Sequence, residues 1–244
     1  MIDVEAAGNS HVAPYRVRFD EATPAGTART SALLRYAQDI AWAHSEALGF
    51  DRAWYRERGL AWLVRAAEVV ILADIPLGAT LDARTAVVSH RRVWARRRGE
   101  FRLDGELAAW LHTDWVLIDD RGRITRVPEV FGTTFPAPLS NDQLARVSLP
   151  PAPPDAAAHL FQVRPHELDP MDHVNNAVYL DWLEEAVLEA GGRVDAVPRR
   201  YGLEYAAAAD RNSEVRAQTW RDGEGWAFRL NGIDGEVFRA RLTG

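Results

Sequence analysis

The chain has no cysteine and no lysine among its 244 residues. Without a thiol there is no thiolate nucleophile, no disulfide and no zinc–thiolate site, and cysteine usage gives no sign of an oxidising compartment. All 29 strongly basic side chains are arginines, which we read mainly as the coding bias of a GC-rich genome rather than as thermal adaptation. Long apolar runs are also missing. The most hydrophobic stretch, residues 60–77, is broken by Arg65, Glu68 and Asp74, so no membrane span is expected. The start, Met1-Ile2-Asp3-Val4-Glu5, has neither a basic leader nor an apolar signal core, and a cytoplasmic location is expected. A net charge of −6 disfavours nucleic acid as a general partner. No Gly-x-Ser-x-Gly elbow, phosphate loop or dinucleotide fingerprint occurs, so serine-hydrolase, nucleotidyl-transfer and Rossmann readings have no support.

What is present is a repeat. Shifted by 146 positions without a gap, Val17, Arg18, Glu21, Pro24 and Leu34 meet Val163, Arg164, Glu167, Pro170 and Leu180. The helical stripe Leu33, Tyr36, Ala37, Ile40, Ala41 returns as Tyr179, Trp182, Leu183, Ala186, Val187, which gives two amphipathic helices at equivalent places. Gly49 and Gly191-Gly192 supply left-handed caps. Strand patterns follow each helix, at 61–72, 79–90, 94–103 and 108–118, then at 200–208, 214–221, 226–230 and 237–242. Asp-Gly turn signals such as Asp104-Gly105 and Asp222-Gly223 punctuate them. Each half reads as a short strand, a long helix and four mainly antiparallel strands. The stretch 136–158 holds six prolines and reads as a linker. The expected division is a first unit at 13–137, a linker at 138–157 and a second unit at 158–244. The expected class is α+β.

The densest chemistry lies at the start of the second helix, in Asp169-Pro170-Met171-Asp172-His173-Val174-Asn175-Asn176. A helix N-terminus presents unpaired N–H groups and the positive end of a dipole, which suit a developing oxyanion. A carboxylate beside those donors can act as general base or nucleophile. From spacing alone, Asp169 is equally a loop-capping aspartate, and His173 a packing or capping histidine. Asn175 and Asn176 are good N-caps whose backbone N–H groups, with that of Val174, are candidates for an oxyanion contact. Asp172 reads as a first-turn acid, and Glu184 and Glu185 as solvated or ion-paired glutamates. His166, Asp169, Asp172 and His173 fit no established metal-ligand spacing, so no metal and no cofactor are expected.

Asp-x-x-x-His-Val-Asn-Asn before a helix, wrapped by a meander, resembles the hotdog fold. The tandem pair with a Pro-rich connector is similar to the acyl–acyl-carrier-protein (acyl-ACP) thioesterases of bacteria and plants. Thr23-Pro24-Ala25-Gly26-Thr27, the helix end 43–50 and Trp94-Ala95-Arg96-Arg97-Arg98 resemble that family, as do Tyr179, Trp182 and Leu203-Glu204-Tyr205. The resemblance implies a double hotdog with sheets joined edge to edge. It also implies a hydrolase that releases fatty acid from acyl-ACP, with Asp169 and His173 as the surviving catalytic positions. The chain departs from the family at Met171, where the family has asparagine, and at Ala208 and Ala209, where plant-type enzymes have glutamate and cysteine. An Asp two residues before an apolar residue also resembles single-domain hotdog thioesterases of acyl-coenzyme A.

The expected catalytic set is Asp169, His173, Asn175 and Asn176. Met171, Val174, Trp42 and Trp62 are candidates for the acyl pocket, although ordinary core packing accounts for each aromatic individually. Arg96, Arg97 and Arg98, with Arg91 and Arg92, form a possible docking patch for an acidic carrier; a solvated strand face is the competing reading. The first half places Thr23 at the position of Asp169 and Thr27 at that of His173, so one active site per chain is expected, in the second unit. The rival activities are acyl-coenzyme A hydrolysis and a non-catalytic acyl- or carrier-binding module. Two fused units already supply the pairing of a dimer, so a monomer or a homodimer is expected.

Overall fold

The computed structural model describes residues 9–135 and 145–244. Part of the expected linker, 138–144, lies outside the described residues. The chain divides into two compact units, 1–65 with 73–144 and 66–72 with 145–244.

The first unit contains β1 (Ser10–Arg16), α1 (Thr30–Ala47), α2 (Arg52–Glu57), the first half of β2 (Leu60–Ile71, whose residues from 66 on belong to the second unit), β3 (Thr80–His90), β4 (Trp94–Leu103), β5 (Glu106–Asp119) and α3 (Glu129–Thr134). Its strand order is β1-β3-β4-β5-β2. The expected stripe of α1 is its buried face: Leu33, Tyr36, Ala37, Ile40 and Ala41 are all under 10% exposed. At the β4–β5 turn Asp104 and Gly105 both take positive φ, 52° and 84°, the backbone a two-residue hairpin of this hand requires. The short helices α2 and α3 were not anticipated. Asp51 starts α2 by accepting the Trp54 N–H at 2.7 Å, and α3 buries Phe131 against Phe50 and Phe135.

The second unit contains β6 (Ala157–Gln162), α4 (Asn176–Glu189), β7 (Arg199–Tyr205), β8 (Glu214–Asp222), β9 (Gly225–Gly232) and β10 (Gly235–Thr243). Its strand order is β7-β10-β9-β8-β6, and residues Ala66–Ile71 of β2 pair antiparallel with β7 in this unit. Strand β7 ends at Tyr205 rather than at 208. The N–H groups of Ala206 and Ala207 both turn onto the Val237 carbonyl, at 2.8 and 3.2 Å, and the ladder breaks there. The core is aromatic: Trp182 of α4 stacks on Phe161 with centroids 5.3 Å apart, and Tyr179 meets Tyr205 and Phe238 at 5.5 and 5.1 Å. Each such burial stabilises the unit by roughly 1.5–3 kcal/mol.

The repeat is visible bond by bond. Both long helices end in the same cap: the Gly49 and Phe50 N–H groups bond to Glu46 and Ser45 carbonyls, and those of Gly191 and Gly192 to Leu188 and Val187. The two caps are 142 positions apart rather than 146, because α1 has 18 residues and α4 has 14. That is one helical turn. The register of the sequence therefore holds as far as the helices and slips by one turn at their ends. No helix among the described residues is long and apolar enough to cross a membrane.

Candidate active site

The approach to α4 is a tight hairpin. A 3-10 turn, Pro165–Glu167, folds back so that the Glu167 carboxylate accepts the Arg164 N–H at 2.6 Å. The Asn175 N–H then donates to the Glu167 carbonyl at 2.9 Å, and the Asp169 N–H donates to the His173 carbonyl at 2.8 Å. The Asp172 N–H reaches the Asp169 carbonyl at 3.0 Å, with Asp172 at φ 63°, a left-handed conformation that aspartate tolerates better than most residues. Inside this loop Asp169 Oδ1 accepts the N–H of Met171 at 2.8 Å and that of His173 at 3.4 Å. One carboxylate oxygen thus shapes the turn. The other, Oδ2, has no partner among the described residues. Asp169 is half-buried.

The remaining predicted residues separate into distinct roles. His173 is exposed, and its ring makes no hydrogen bond or ion pair among the described residues; it meets Asp169 only through its backbone. Asn175 is the helix cap, its side chain accepting the Ala177 N–H at 2.9 Å. With its N–H spent on Glu167, the Asn175 backbone is not the oxyanion donor expected of it, and only the side-chain Nδ2 group remains to donate. Asn176 opens the helix, and its carbonyl accepts the Tyr205 hydroxyl at 3.0 Å. The N–H groups of Val174 and Asn176 have no acceptor among the described residues. Val174 and Leu168 face each other in an isolated antiparallel bridge. The flanking bonds of that bridge are those of Asp169 and Asn175, so the Val174 N–H points away from the hairpin. The Val174 side chain is buried, and Met171 is 43% exposed.

A second segment closes on the helix tip, the loop after β7. Arg211 ion-pairs with Asp172, and the buried Ala209 donates its N–H to the Tyr179 hydroxyl oxygen at 3.0 Å. Ala208 is exposed. Burial pushes the Tyr179 phenol up to about 12; the charges of Asp169 and Asp210 push the same way, against the Ala209 N–H. In the sequence Tyr179 counted as a member of the apolar stripe and of the family resemblance, with no role given to its hydroxyl. The available signal was that the repeat places an aliphatic residue, Leu33, at the same position.

The first unit builds the same hairpin without the charges. The Thr23 N–H donates to the Thr27 carbonyl at 2.7 Å, the Gly26 N–H to the Thr23 carbonyl at 2.9 Å and the Arg29 N–H to the Glu21 carbonyl at 2.8 Å. Thr23 Oγ1 lies 3.4 Å from the Thr27 N–H and 3.0 Å from the Thr27 hydroxyl. Two hydroxyls here replace a carboxylate and an imidazole.

The arginines of β4 do not form a surface patch. Arg97 and Arg98 are 7% and 2% exposed. Arg97 lies against the His44 Nδ1 at 3.0 Å and the Phe135 ring, and burial lowers its guanidinium to about 10. Arg98 bonds Glu100 at 2.8 Å and stacks over Trp110 at 4.5 Å. Arg96 grips Asp114 through two hydrogen bonds of 2.6 and 2.8 Å. The docking expectation for these three is corrected by burial and pairing; Arg91 and Arg92, in the β3–β4 turn, are the exposed ones. Trp42 is 41% exposed. Trp62 packs on the Phe50–Phe131–Phe135 cluster and donates to the Tyr55 hydroxyl at 3.1 Å.

Glu184 accepts the Tyr201 hydroxyl at 2.6 Å. Glu185 and Glu189 flank His159, at 3.8 and 2.9 Å. A cavity of about 290 Å³, lined by Gly191, Arg199, Arg221 and Trp226, lies at the end of α4 opposite Asp169. None of its walls belongs to the hairpin.

Residues 8–134 match the family described as acyl-ACP thioesterase N-terminal domain, and residues 152–231 match the acyl-ACP thioesterase C-terminal domain. No curated protein sequence matches the chain. Among solved structures, a putative oleoyl thioesterase from Lactobacillus plantarum superposes with a TM-score of 0.84 at 19% identity, over 96% of this chain and 94% of that one. The 12:0-ACP thioesterase from Umbellularia californica gives 0.79 at 22% identity, over 97% of each chain. An acyl-ACP thioesterase from Bacteroides thetaiotaomicron gives 0.79 at 14% identity, over 99% of each. Identities this low speak for the fold, the hotdog architecture expected from the sequence, while the two family matches together span most of both units. The chain belongs to the acyl-ACP thioesterase family.

Proposed function

We propose that this protein hydrolyses fatty acyl thioesters of acyl carrier protein, with the chemistry carried by the second unit. The observation that carries the reading is the Asp169 hairpin: one carboxylate oxygen locked by backbone N–H groups, the other without a partner among the described residues. The turn leads into a helix N-terminus where the Val174 and Asn176 N–H groups likewise have no acceptor among them. The first unit repeats the hairpin with Thr23 and Thr27, neither of which can act as a base at neutral pH. One site per chain follows.

Thioester hydrolysis needs an activated water and a polarised carbonyl, since a thiolate leaves readily. Asp169 Oδ2 takes a proton from water as the water oxygen bonds to the acyl carbon. The carbonyl electron pair moves onto oxygen, where the N–H groups of Val174 and Asn176 receive it. Collapse of this intermediate re-forms the carbonyl and breaks the carbon–sulfur bond. The thiolate leaves and takes back the proton held by Asp169, giving free fatty acid and the carrier thiol. His173, exposed at the hairpin rim, is assigned in this reading to lining the thioester pocket. No step calls for a metal or cofactor.

The deciding experiment measures thiol release from acyl-ACP and acyl-coenzyme A substrates over a range of chain lengths. Turnover favouring the carrier protein supports the reading. Turnover favouring coenzyme A replaces the carrier and keeps the chemistry. Acyl-ACP binding with no thiol released at any chain length would make the protein a non-catalytic acyl- or carrier-binding member of its family.

A further inference from the structure

The steps above leave one buried polar group without a task. Tyr179 lies in the first turn of α4, is 2% exposed, and is caged by the rings of Trp182, Tyr205 and Phe238 at 5.4, 5.5 and 5.1 Å. Side chains on a helix lean toward its N-terminus, which carries this hydroxyl toward the Asp169 hairpin. Its oxygen is fixed by the Ala209 N–H at 3.0 Å. Its proton has no acceptor among the described residues. A buried donor left unmatched costs about 1–3 kcal/mol, and a bound water would supply the acceptor that the described residues do not.

Asp169 identifies that acceptor. No direct hydrogen bond joins the Asp169 carboxylate to the Tyr179 hydroxyl, but the loop whose Ala209 N–H holds that hydroxyl also carries Arg211, ion-paired to Asp172 of the Asp169 hairpin. The hydroxyl and the carboxylate thus meet the same loop at the helix tip without touching, an arrangement that one intervening water satisfies. The internal repeat supplies an independent argument. Position 33, equivalent to 179, is leucine, and position 23, equivalent to 169, is threonine. Leu33 is 1% exposed, so an aliphatic side chain fills this place in the fold. The unit that lacks the carboxylate also lacks the phenol, although it keeps the hairpin backbone.

We propose that Tyr179 is the positioning residue for the hydrolytic water, its O–H donating to the water oxygen while Asp169 Oδ2 accepts one of the water protons. The inference rests on Asp169 being the base. During attack the proton moves from water to Asp169, the water oxygen bonds to the acyl carbon, and the phenol keeps its own proton throughout.

The test pairs kinetics with a measurement that needs no turnover. Tyr179→Phe preserves the ring cage and removes only the hydroxyl. Its kcat for thiol release should fall by about tenfold to a hundredfold, with KM within about twofold of the parent and the acidic limb of the kcat/KM profile moved to higher pH. A kcat within about twofold of the parent overturns the proposal. So does a loss shared between kcat, KM and thermal stability with an unmoved acidic limb, since that is what a packing role produces. In protein labelled with 13Cζ-tyrosine, Tyr179 is one of six tyrosines and is assigned by its absence in Tyr179→Phe. Its resonance should shift in Asp169→Asn, and an unmoved resonance overturns the water-bridged contact. Should the parent release no thiol from any carrier, the functional reading fails by itself, and this resonance still decides the inference.

Discussion

Asp169 commits one carboxylate oxygen to the Met171 N–H at 2.8 Å, and the other has no partner among the described residues. Structure and chemistry are thereby divided between two atoms of one side chain, and two substitutions separate them. Asp169→Asn keeps an Oδ1 acceptor for the loop and removes the base. We expect kcat to fall by about a hundredfold to a ten-thousandfold, with a urea midpoint close to that of the parent. Asp169→Ala removes both, and should lose the same activity plus about 1 kcal/mol of stability. Equal turnover of Asp169→Asn and the parent would remove Asp169 from the mechanism.

Asn175 behaves oppositely. Its side chain caps α4 through the Ala177 N–H, and its own N–H belongs to Glu167. Asn175→Ala should cost about 1 kcal/mol in equilibrium unfolding while kcat stays within a few-fold of the parent. A large loss of kcat in a variant of undiminished stability would return Asn175 to the chemistry.

These two residues also mark how far the sequence could be read. The helix and the repeat were legible because periodicity survives in the sequence, whereas the hairpin before each helix, built with the same bonds by Thr23–Thr27 and Asp169–His173 from different side chains, was read only as a loop. What a single side chain does was less legible. Asn175 and Asn176 are adjacent amides in the sequence, yet one N–H is consumed by Glu167 and the other is not. Tyr179 fits an apolar stripe whether or not its hydroxyl is used. The arginines of β4 misled for a related reason: a run of charge looks solvated unless its partners are known, and Asp114 and His44 come from other elements of the chain, although Glu100 lies two residues along the same strand. The extra turn of α1 and the short helix α2 break the register after the helices, where local pattern carries no warning.

Arg98 tests the patch directly. Its side chain is 2% exposed and pairs with Glu100, itself largely buried. Removing Arg98 leaves Glu100 with only the exposed Arg102, at 3.4 Å, so the cost falls below the ~3–5 kcal/mol of a fully uncompensated buried charge. Arg98→Met should therefore appear as a loss of stability in chemical denaturation, with no selective rise of KM for acyl-ACP. Arg91→Glu with Arg92→Glu, at exposed positions, should leave stability nearly unchanged. If a carrier docks there, its KM rises and becomes less sensitive to salt. A stable Arg98→Met protein with a selectively raised carrier KM would restore the arginines of β4 to the docking surface.

His44 gives the fold a pH dependence of its own. It is 2% exposed at the end of α1, with Nε2 against Asn9 at 3.1 Å and Nδ1 facing the Arg97 guanidinium at 3.0 Å. Burial, reinforced by the charges of Arg97 and His11, lowers its pKa from 6.5 to about 3. The folded protein keeps this imidazole neutral while the unfolded chain takes up a proton near the ordinary histidine value. The stability it contributes is fully present above about pH 6.5 and is lost as pH falls toward 3, because the unfolded state binds the extra proton over that window. The slope attributable to one such group approaches about 1.4 kcal/mol per pH unit. It is read most cleanly between about pH 5 and 6, before carboxylates begin to titrate. His44→Gln, which cannot take the proton, should have a shallower dependence of unfolding free energy on pH across that interval, whatever its stability at neutral pH. Parallel slopes for the two proteins would mean that His44 titrates normally in the folded state, and that the Arg97 guanidinium does not press on it as the geometry indicates.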